Sequence, residues 1–200
     1  MNYYKDLWTN PNTEAGQFFN KVDFNHKDYK DQEQVFRNFL KGLKRLMDSY
    51  VEQKPIETVL EVGVGTQRIT KIMIEEFPDI QTYDAVDLKI RGGLTPIVKT
   101  YNLDITSNEF DKQLGHKRYD MVVLSEILMH ILPKDIDNVI SKCSKLLNDN
   151  GCIINIDWAN SSEPSEWCFI HPYDELYRNN GLQPIFITDI NKQKLFCYGK

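Results

Sequence analysis

The chain has 200 residues, 41% of them hydrophobic, which is enough for one domain with a buried core. Its formal net charge of -5 gives no overall attraction to nucleic acid, although a local basic face is compatible with it. The apolar runs are strand-sized, far short of the roughly 20 residues of a membrane span, and the polar first residues do not resemble a signal peptide. We therefore expect a cytoplasmic protein that makes no membrane contact.

The four cysteines lie in the last third of the chain and form no C-x-x-C pair. This spacing disfavours both a zinc site and a disulfide framework, and it favours buried free thiols. No metal site is predicted. The cysteines are Cys143, Cys152, Cys168 and Cys197.

The first 55 residues predict a helical N-terminal cap. Apolar residues recur at spacings of three and four over 31–53, the pattern of an amphipathic helix, with Asp31 and Gln34 as a capping pair. Pro55 ends this helix. The remainder of the chain, 56–200, begins with a buried strand over 58–62 that runs directly into glycines.

Strands and helices alternate from that point onward. The predicted strands after the first are 80–86, 100–103, 119–124, 152–157, 184–190 and 194–198, and the predicted helices are 69–77, 108–114, 134–147 and 173–180. Two glycines and a proline over 91–96 predict a short helix or none between the second and third strands. The alternation predicts a parallel sheet with helices on both faces, and the last two strands predict an antiparallel hairpin.

The junction of the first strand with the following helix is the first functional signal. A strand that ends in Gly63 and Gly65 and opens a helix leaves backbone N–H groups and a positive helix end exposed to a ligand. The glycines allow close approach because they have no Cβ. A G-x-G turn alone is equally typical of a purely structural turn, so its context decides.

That context is the sequence VLEVGVGTQRIT over 59–70, which resembles the first motif of class I S-adenosylmethionine-dependent methyltransferases. The resemblance implies S-adenosyl-L-methionine as cofactor, with Glu61 near its methionine end and Gly63 and Gly65 passing beneath it. The family usually has a third small residue where this chain has Gln67. A nicotinamide-binding fold would have a glycine in place of Arg68, which disfavours that alternative.

Two further acids match this family by their positions. Asp87, at the predicted end of the second strand, resembles the acid that binds both ribose hydroxyls, and Asp84 is the alternative if that strand ends three residues earlier. Asp104 resembles the acid that meets the adenine amino group, with Ile105 beside the ring. The other cofactor-binding residues that the resemblance implies are Thr66, Leu88, Leu124 and Ser125.

The sequence YDMVVLSEILMHI over 119–131 is similar to the fourth-strand motif of small-molecule methyltransferases. Strand ends at this edge face the ligand, which puts Leu124 and Ser125 beside the cofactor and His130 near the methyl acceptor. His130 is then either a proton acceptor or a residue that holds the loop by a hydrogen bond. His171 is the second candidate for the proton acceptor. Two aromatic-rich stretches, 3–19 and 158–173, are candidates for an acceptor pocket.

The resemblance extends from about residue 59 to the C-terminus. It implies an α/β fold, a Rossmann-like three-layer sandwich with a mostly parallel seven-stranded sheet and an antiparallel last strand, in one domain over 1–200. The implied activity is S-adenosylmethionine-dependent methyl transfer to an oxygen or nitrogen of a small-molecule acceptor. The loop after the fourth strand carries neither of the motifs of DNA-base methylases.

Alternative functions stay open. One is an RNA- or protein-directed methyltransferase of the same fold, docking through the basic residues Lys21, His26, Lys27 and Lys30. Another is a non-catalytic module that binds the cofactor, or has lost it, and serves as a partner subunit. A nicotinamide-dependent oxidoreductase comes third. The sequence leaves the methyl acceptor and the oligomeric state open.

Overall fold

The computed structural model describes residues 3–21, 27–49, 55–90, 95–157, 167–190 and 193–200. These ranges contain seven strands, β1 (Thr58–Val62), β2 (Thr82–Asp87), β3 (Val98–Asn102), β4 (Tyr119–Ser125), β5 (Leu147–Asp157), β6 (Gln183–Ile190) and β7 (Gln193–Gly199). The helices of the described ranges are α1 (Tyr3–Thr9), α2 (Glu14–Lys21), α3 (Lys27–Ser49), α4 (Arg68–Glu76), α5 (Asn108–Leu114), α6 (Ile136–Leu146) and α7 (Tyr173–Asn179), with a short 3-10 helix at Leu128–His130.

All seven strands join one sheet in the order β3-β2-β1-β4-β5-β7-β6. β1 pairs in parallel with both β2 and β4, and β7 is antiparallel to β5 and β6. The strand order reverses between β1 and β4, so the connections leave their carboxyl ends in opposite directions and open a crevice there. This confirms the predicted Rossmann-like fold with its mostly parallel sheet and antiparallel last strand.

Strand residues alternate between two hydrophobic layers. Val59, on one face of β1, packs with apolar residues of α3 and α4, whereas Leu60, on the other face, packs with those of α5, α6 and α7. The alternation follows from the period of two along a strand, which sends successive side chains to opposite faces. The sheet is therefore the middle of three layers, with its core split between its two faces.

The helix predicted over 31–53 begins earlier than expected, at Lys27, and ends at Ser49. The prediction of Asp31 and Gln34 as a cap was wrong, because Gln34 lies inside the helix and its Nε2 donates to Asn38 Oδ1 at 3.0 Å. The first turn is polar, so the apolar periodicity gave no sign of it. Residues 50–54 lie outside the described ranges.

The crossover between β2 and β3 has no helix at 88–90 or 95–97, in agreement with the expectation for this region, while 91–94 lie outside the described residues. The predicted hairpin connection spans 191–193; residues 191–192 lie outside the described ranges, and Gln193 is the first residue of β7. Across the described ranges, none of the helices combines the length and apolar character needed to cross a bilayer.

Candidate functional site

The turn after β1 has two glycines in the left-handed region of backbone space. Gly63 has φ of 82° and its N–H donates to Val86 O at 2.9 Å, which ties the turn to the end of β2. A Cβ on Gly63 would lie 3.0 Å from Ile127 Cβ and Cδ1. Gly65 has φ of 51°. Both positive dihedral angles favour glycine, and at Gly63 a Cβ would also require the side chain of Ile127 to shift.

Gln67 has the same left-handed backbone, with φ of 66°, and is 2% exposed. This is the position where the sequence departs from the usual small residue. The backbone at Gln67 keeps the conformation that a glycine would adopt, and the N–H of Gln67 donates to Val64 O at 2.7 Å. Thr66 lies between these residues and is half-buried. The departure at Gln67 therefore adds backbone strain without opening the turn.

Asp87 ends β2 at the same sheet edge. Its Oδ2 accepts a hydrogen bond from Gly65 N at 2.7 Å, and its Oδ1 accepts one from Lys89 N at 3.2 Å. Its backbone carbonyl accepts from Leu103 N at 2.9 Å, which holds the end of β3 alongside. The half-buried Leu88 packs against the core next to it. The structure thus brings the glycine turn and this acid into direct contact.

Asp84, the alternative to Asp87, is fully buried in mid-strand. Its Oδ2 accepts hydrogen bonds from Lys117 Nζ and from the Tyr119 hydroxyl, both at 2.6 Å. Lys117 Nζ also donates to the Tyr101 hydroxyl at 2.9 Å. Asp84 belongs to an internal charge network, so Asp87 is the strand-end carboxylate that lies at the crevice.

Asp104 lies in the loop after β3 and is half-buried. Its Oδ1 accepts hydrogen bonds from Thr106 N at 2.8 Å and from Thr106 Oγ1 at 2.7 Å. Ile105, 4% exposed, belongs to the apolar cluster on the side of α5 and α6. This loop follows the strand beside β2, so Asp104 and Asp87 lie at one edge of the sheet.

The side chain of Glu61 lies on the buried face of β1 that packs against α4. It is 1% exposed on the α4 face of β1, and its Oε2 accepts hydrogen bonds from Thr70 Oγ1 at 2.5 Å and from the Tyr83 hydroxyl at 2.6 Å. Burial raises the pKa of Glu61 to about 7. The carboxyl group therefore lies behind the glycine turn, between the sheet and α4.

At the end of β4, Leu124 is fully buried in the core, and Ser125 is half-buried at the edge. Glu126 follows with a left-handed backbone, φ 54°, and its Oε1 accepts from Gln193 Nε2 at 2.5 Å. Ile127 then lies over Gly63. The chain after β4 thus turns toward the glycine turn, and Ile127 contacts it at Gly63.

Both candidate histidines donate to backbone carbonyls. His130 Nδ1 bonds to Trp167 O at 2.9 Å, and His171 Nε2 bonds to Ile131 O at 3.0 Å. A third hydrogen bond joins Phe169 N to Met129 O at 2.7 Å. We call these three contacts the histidine clamp. Because carbonyls only accept, the protons lie on His130 Nδ1 and His171 Nε2.

The clamp histidines are held neutral. Desolvation lowers the pKa of His130 to about 4, and burial lowers the pKa of His171 below its ordinary value. The carbonyl hydrogen bonds oppose this effect in both rings but do not overcome it. Neutral His130 keeps an unprotonated Nε2, so it has a lone pair on the ring nitrogen that does not bind Trp167 O.

Helix α1 covers this region. The Tyr4 hydroxyl donates to Asp135 Oδ2 at 2.7 Å and accepts from Leu132 N at 3.0 Å. The Trp8 ring centroid lies 4.3 Å from that of His130 and 5.4 Å from that of Trp167. Trp8 of the first predicted aromatic stretch and Trp167 of the second therefore meet on His130, and the three rings form an aromatic wall. Residues 158–166 of the second stretch lie outside the described ranges.

Several residues of the site were missed by the sequence reasoning. Thr70 and Tyr83 hold Glu61, and Ile127 covers Gly63. Thr70 did carry a signal, because it is a polar residue among the apolar positions that α4 turns toward the sheet. Ile127 carried none. No group of three His, Cys, Asp or Glu side chains suited to a metal ion occurs among the residues that the structure describes.

A central crevice in a mostly parallel sheet, bordered by a glycine turn and strand-end acids, defines a Rossmann-like α/β protein of the nucleotide-binding type. The family described as Methyltransferase domain matches residues 32–190, which is most of the chain. The chain belongs to this methyltransferase family, and the resemblance inferred from its sequence is confirmed.

Solved structures share the fold at low identity. An O-methyltransferase family protein from Burkholderia thailandensis is 12% identical with a TM-score of 0.60, and the match covers 92% of this chain and 66% of that chain. A 1,6-didemethyltoxoflavin-N1-methyltransferase from the same organism, with bound 1,6-didemethyltoxoflavin and S-adenosylhomocysteine, is 15% identical with a TM-score of 0.58, covering 90% and 91%.

An N-methyltransferase from Bradyrhizobium japonicum in complex with S-adenosylhomocysteine is 14% identical with a TM-score of 0.55, covering 82% of this chain and 86% of that chain. This chain spans slightly less than two thirds of the first neighbour, and 56% of a second O-methyltransferase-like structure from Nostoc punctiforme. At these identities the likeness shows the fold.

Proposed function

We propose that this protein transfers a methyl group from S-adenosyl-L-methionine to an oxygen or nitrogen of a small-molecule acceptor. The observation that carries the proposal is the 2.7 Å hydrogen bond from Gly65 N to Asp87 Oδ2. It joins the glycine turn to the acid of the second strand at the crevice. Membership of the methyltransferase family and the S-adenosylhomocysteine held by two neighbours support the choice of cofactor.

The residues at the crevice fit an adenosyl group. Asp87 presents a carboxylate that can accept hydrogen bonds from two vicinal hydroxyls, and Gly65, whose N–H binds Asp87 Oδ2, has no Cβ. Both hydrogen bonds from Thr106 go to Oδ1 of Asp104, which leaves Oδ2 to accept from an exocyclic amino group. We assign Asp87 to the ribose, and Asp104 with Ile105 to the adenine.

The chemistry that the cofactor supplies when bound is an electrophilic methyl group on a sulfonium. The protein has to align the acceptor and exclude water. We assign Gly63, Gly65 and Thr66 to the turn beneath the cofactor. Further lining comes from Leu88 and Ser125, with Leu124 behind them. Glu61 acts from behind the turn, where its hydrogen bonds to Thr70 and Tyr83 fix the end of β1.

The aromatic wall supports a small, largely apolar acceptor. Trp8 of α1 lies against His130 and Trp167, so aromatic rings border this part of the site. We assign His130 as the first candidate proton acceptor, through Nε2, and His171 as the second. With a pKa of about 4, His130 is a weak base at neutral pH, which suits an acceptor whose proton is already acidic.

Calorimetric titration with S-adenosylhomocysteine tests the proposal. Asp87→Ala should weaken binding about tenfold, because a charge-assisted hydrogen bond is lost. Asp189→Ala is the matched control, since Asp189 is an exposed carboxylate on the terminal hairpin, 3.8 Å from Lys194 Nζ. Absence of binding by the unmodified protein would favour the alternative of a non-catalytic partner module that has lost the cofactor. Unchanged affinity in Asp87→Ala would contradict the ribose assignment.

The acceptor class is tested by transfer of a labelled methyl group to panels of hydroxyl and amine compounds, with RNA and protein as rival acceptors. A small-molecule enzyme labels the compounds alone. Labelling of RNA that weakens steeply with salt would favour the nucleic-acid alternative instead. Binding of NADH in preference to S-adenosylhomocysteine would favour the oxidoreductase.

A further inference from the structure

Lys142 lies on α6, outside the strand-end residues assigned to the site, and is 9% exposed. Its Nζ donates to Ile105 O at 3.0 Å and to Ser107 O at 2.9 Å, and it pairs with Asp111 Oδ2 at 2.8 Å. An ammonium group has three N–H donors, so these three partners account for all of them. Lys142 therefore holds the loop after β3 from the side of α6.

The contact with Ile105 O fixes the orientation of one peptide group. In a trans peptide the C=O and the following N–H point in opposite directions. With Ile105 O directed to Lys142, the N–H of Thr106 is directed the other way, where it donates to Asp104 Oδ1 at 2.8 Å. Lys142 and Asp104 are thus linked through a single peptide group.

The orientation of Asp104 follows from this link. Thr106 donates to Asp104 Oδ1 from both its N–H and its hydroxyl, the latter at 2.7 Å. Ser107 Oγ and N also donate to Asp104 O, at 2.7 and 3.0 Å. The side chain of Asp104 is therefore held in one rotamer, in which Thr106 binds Oδ1 and leaves Oδ2 for another donor.

Stability alone is a poor explanation for Lys142. Removing an ammonium group from water costs several kcal/mol, and a buried ion pair often contributes less than apolar packing would. Asp111 is 45% exposed, so its pairing with Lys142 is weakened by solvent. A buried cation at this place fixes the orientation of two carbonyl groups, because Ile105 O and Ser107 O both accept hydrogen bonds from Lys142 Nζ.

We propose that Lys142 is a positioning residue for nucleobase selection: it sets the 104–107 loop so that Asp104 accepts a hydrogen bond from the 6-amino group of the adenine. The inference rests on the proposed function, because it assumes that this loop binds the base. It implies discrimination against a 6-oxo purine, whose oxygen the carboxylate repels.

The test compares S-adenosylhomocysteine with its 6-oxo analogue, S-inosylhomocysteine, by calorimetry. The unmodified protein should prefer the adenine compound by about tenfold or more. Lys142→Met should bind S-adenosylhomocysteine about tenfold more weakly and reduce the preference between the two ligands to roughly threefold or less. Lys145→Met is the matched control, since Lys145 is exposed one turn further along α6 and should behave like the unmodified protein.

A second variant isolates the carbonyl contacts. Asp111→Asn removes the ion pair but leaves Lys142 bonded to both carbonyls, so the preference for adenine should persist. Lys142→Gln, a milder change, is measured in the same way if Lys142→Met does not fold. A lower melting temperature with an unchanged preference between the ligands would overturn the proposal and leave Lys142 structural. Failure of the unmodified protein to bind S-adenosylhomocysteine would contradict the proposed function itself.

Discussion

The Tyr83 hydroxyl donates to Glu61 Oε2 at 2.6 Å, in the layer between the sheet and α4. Thr70 donates to the same oxygen, yet burial still raises the pKa of Glu61 to about 7. The folded protein therefore keeps a proton on Glu61 over a pH range in which the unfolded chain has released it.

The contribution of protonated Glu61 to stability should be lost as pH rises. Between about pH 4.5 and about pH 7 the native state binds more protons at Glu61 than the unfolded state, so the contribution of Glu61 to the free energy of unfolding falls as pH rises. The change from 4.5 to about 7 corresponds to about 3 kcal/mol. Glu61→Gln should remove this component, as measured by urea unfolding at several pH values in that range. Thr70→Val, which removes a donor to the carboxylate, should steepen the dependence, and parallel curves for all three proteins would contradict the assignment.

His130 predicts the opposite slope. Its pKa is lowered from 6.5 to about 4, so between these values the unfolded chain binds the extra proton. Its contribution to stability is complete above about pH 6.5 and is lost as pH falls toward about 4. We expect His130→Asn to unfold with a free energy that declines more steeply as pH rises through this range, because the Glu61 effect then acts alone. An unchanged slope in His130→Asn would contradict the prediction, and the double variant with Glu61→Gln, which lacks both groups, supplies the flat reference profile.

Two glycines make a matched pair for substitution by alanine. At Gly63, φ of 82° and the 3.0 Å approach of Ile127 both oppose a Cβ, so Gly63→Ala should lower the free energy of unfolding by about 1 to 3 kcal/mol. At Gly42, within α3, no atom lies within 4 Å of the added Cβ, and Gly42→Ala should raise it by about 0.5 to 1 kcal/mol. Thermal melts measure both. Destabilisation by Gly42→Ala as large as that by Gly63→Ala would show that backbone conformation is not the cause.

The hydroxyl of Tyr4 attaches α1 to the segment that contains Leu132 and Asp135. Tyr4→Phe keeps the ring, which is 6% exposed, but leaves Leu132 N without its acceptor and Asp135 without its donor. The expected loss is about 1 to 3 kcal/mol in the free energy of unfolding. Tyr3→Phe is the control, since Tyr3 is 43% exposed. A similar melting temperature for both variants would mean that the hydroxyl of Tyr4 does not hold the helix in place.

The glycine turn and Asp87 could be predicted because strand ends and turns are encoded by neighbouring residues. The pairing of Gly65 N with Asp87 Oδ2 spans 22 positions, but the order of strands in a parallel sheet brings those ends together. The face on which Glu61 lies follows from the period of two along β1, which the motif match alone did not show.

The contacts of Lys142 could not be predicted. They join residues 35 and 37 positions apart, and they depend on the packing of α6 beside the loop after β3. A lysine in an amphipathic helix gives no sign that it is buried, because most lysines lie at the surface. The histidine clamp could not be predicted either, because it depends on how residues 167–171 pack against the turn after β4.

The histidine clamp also has a dynamic consequence. Three hydrogen bonds attach the turn after β4 to residues 37 to 40 positions further along the chain, and neither segment can swing outward while they persist. Amide hydrogens in the two segments should exchange with solvent at matching rates, as parts of a single cooperative unit. Under the proposed function, ligand entry past the aromatic wall depends on local opening of residues 167–171 as much as on opening of the turn itself.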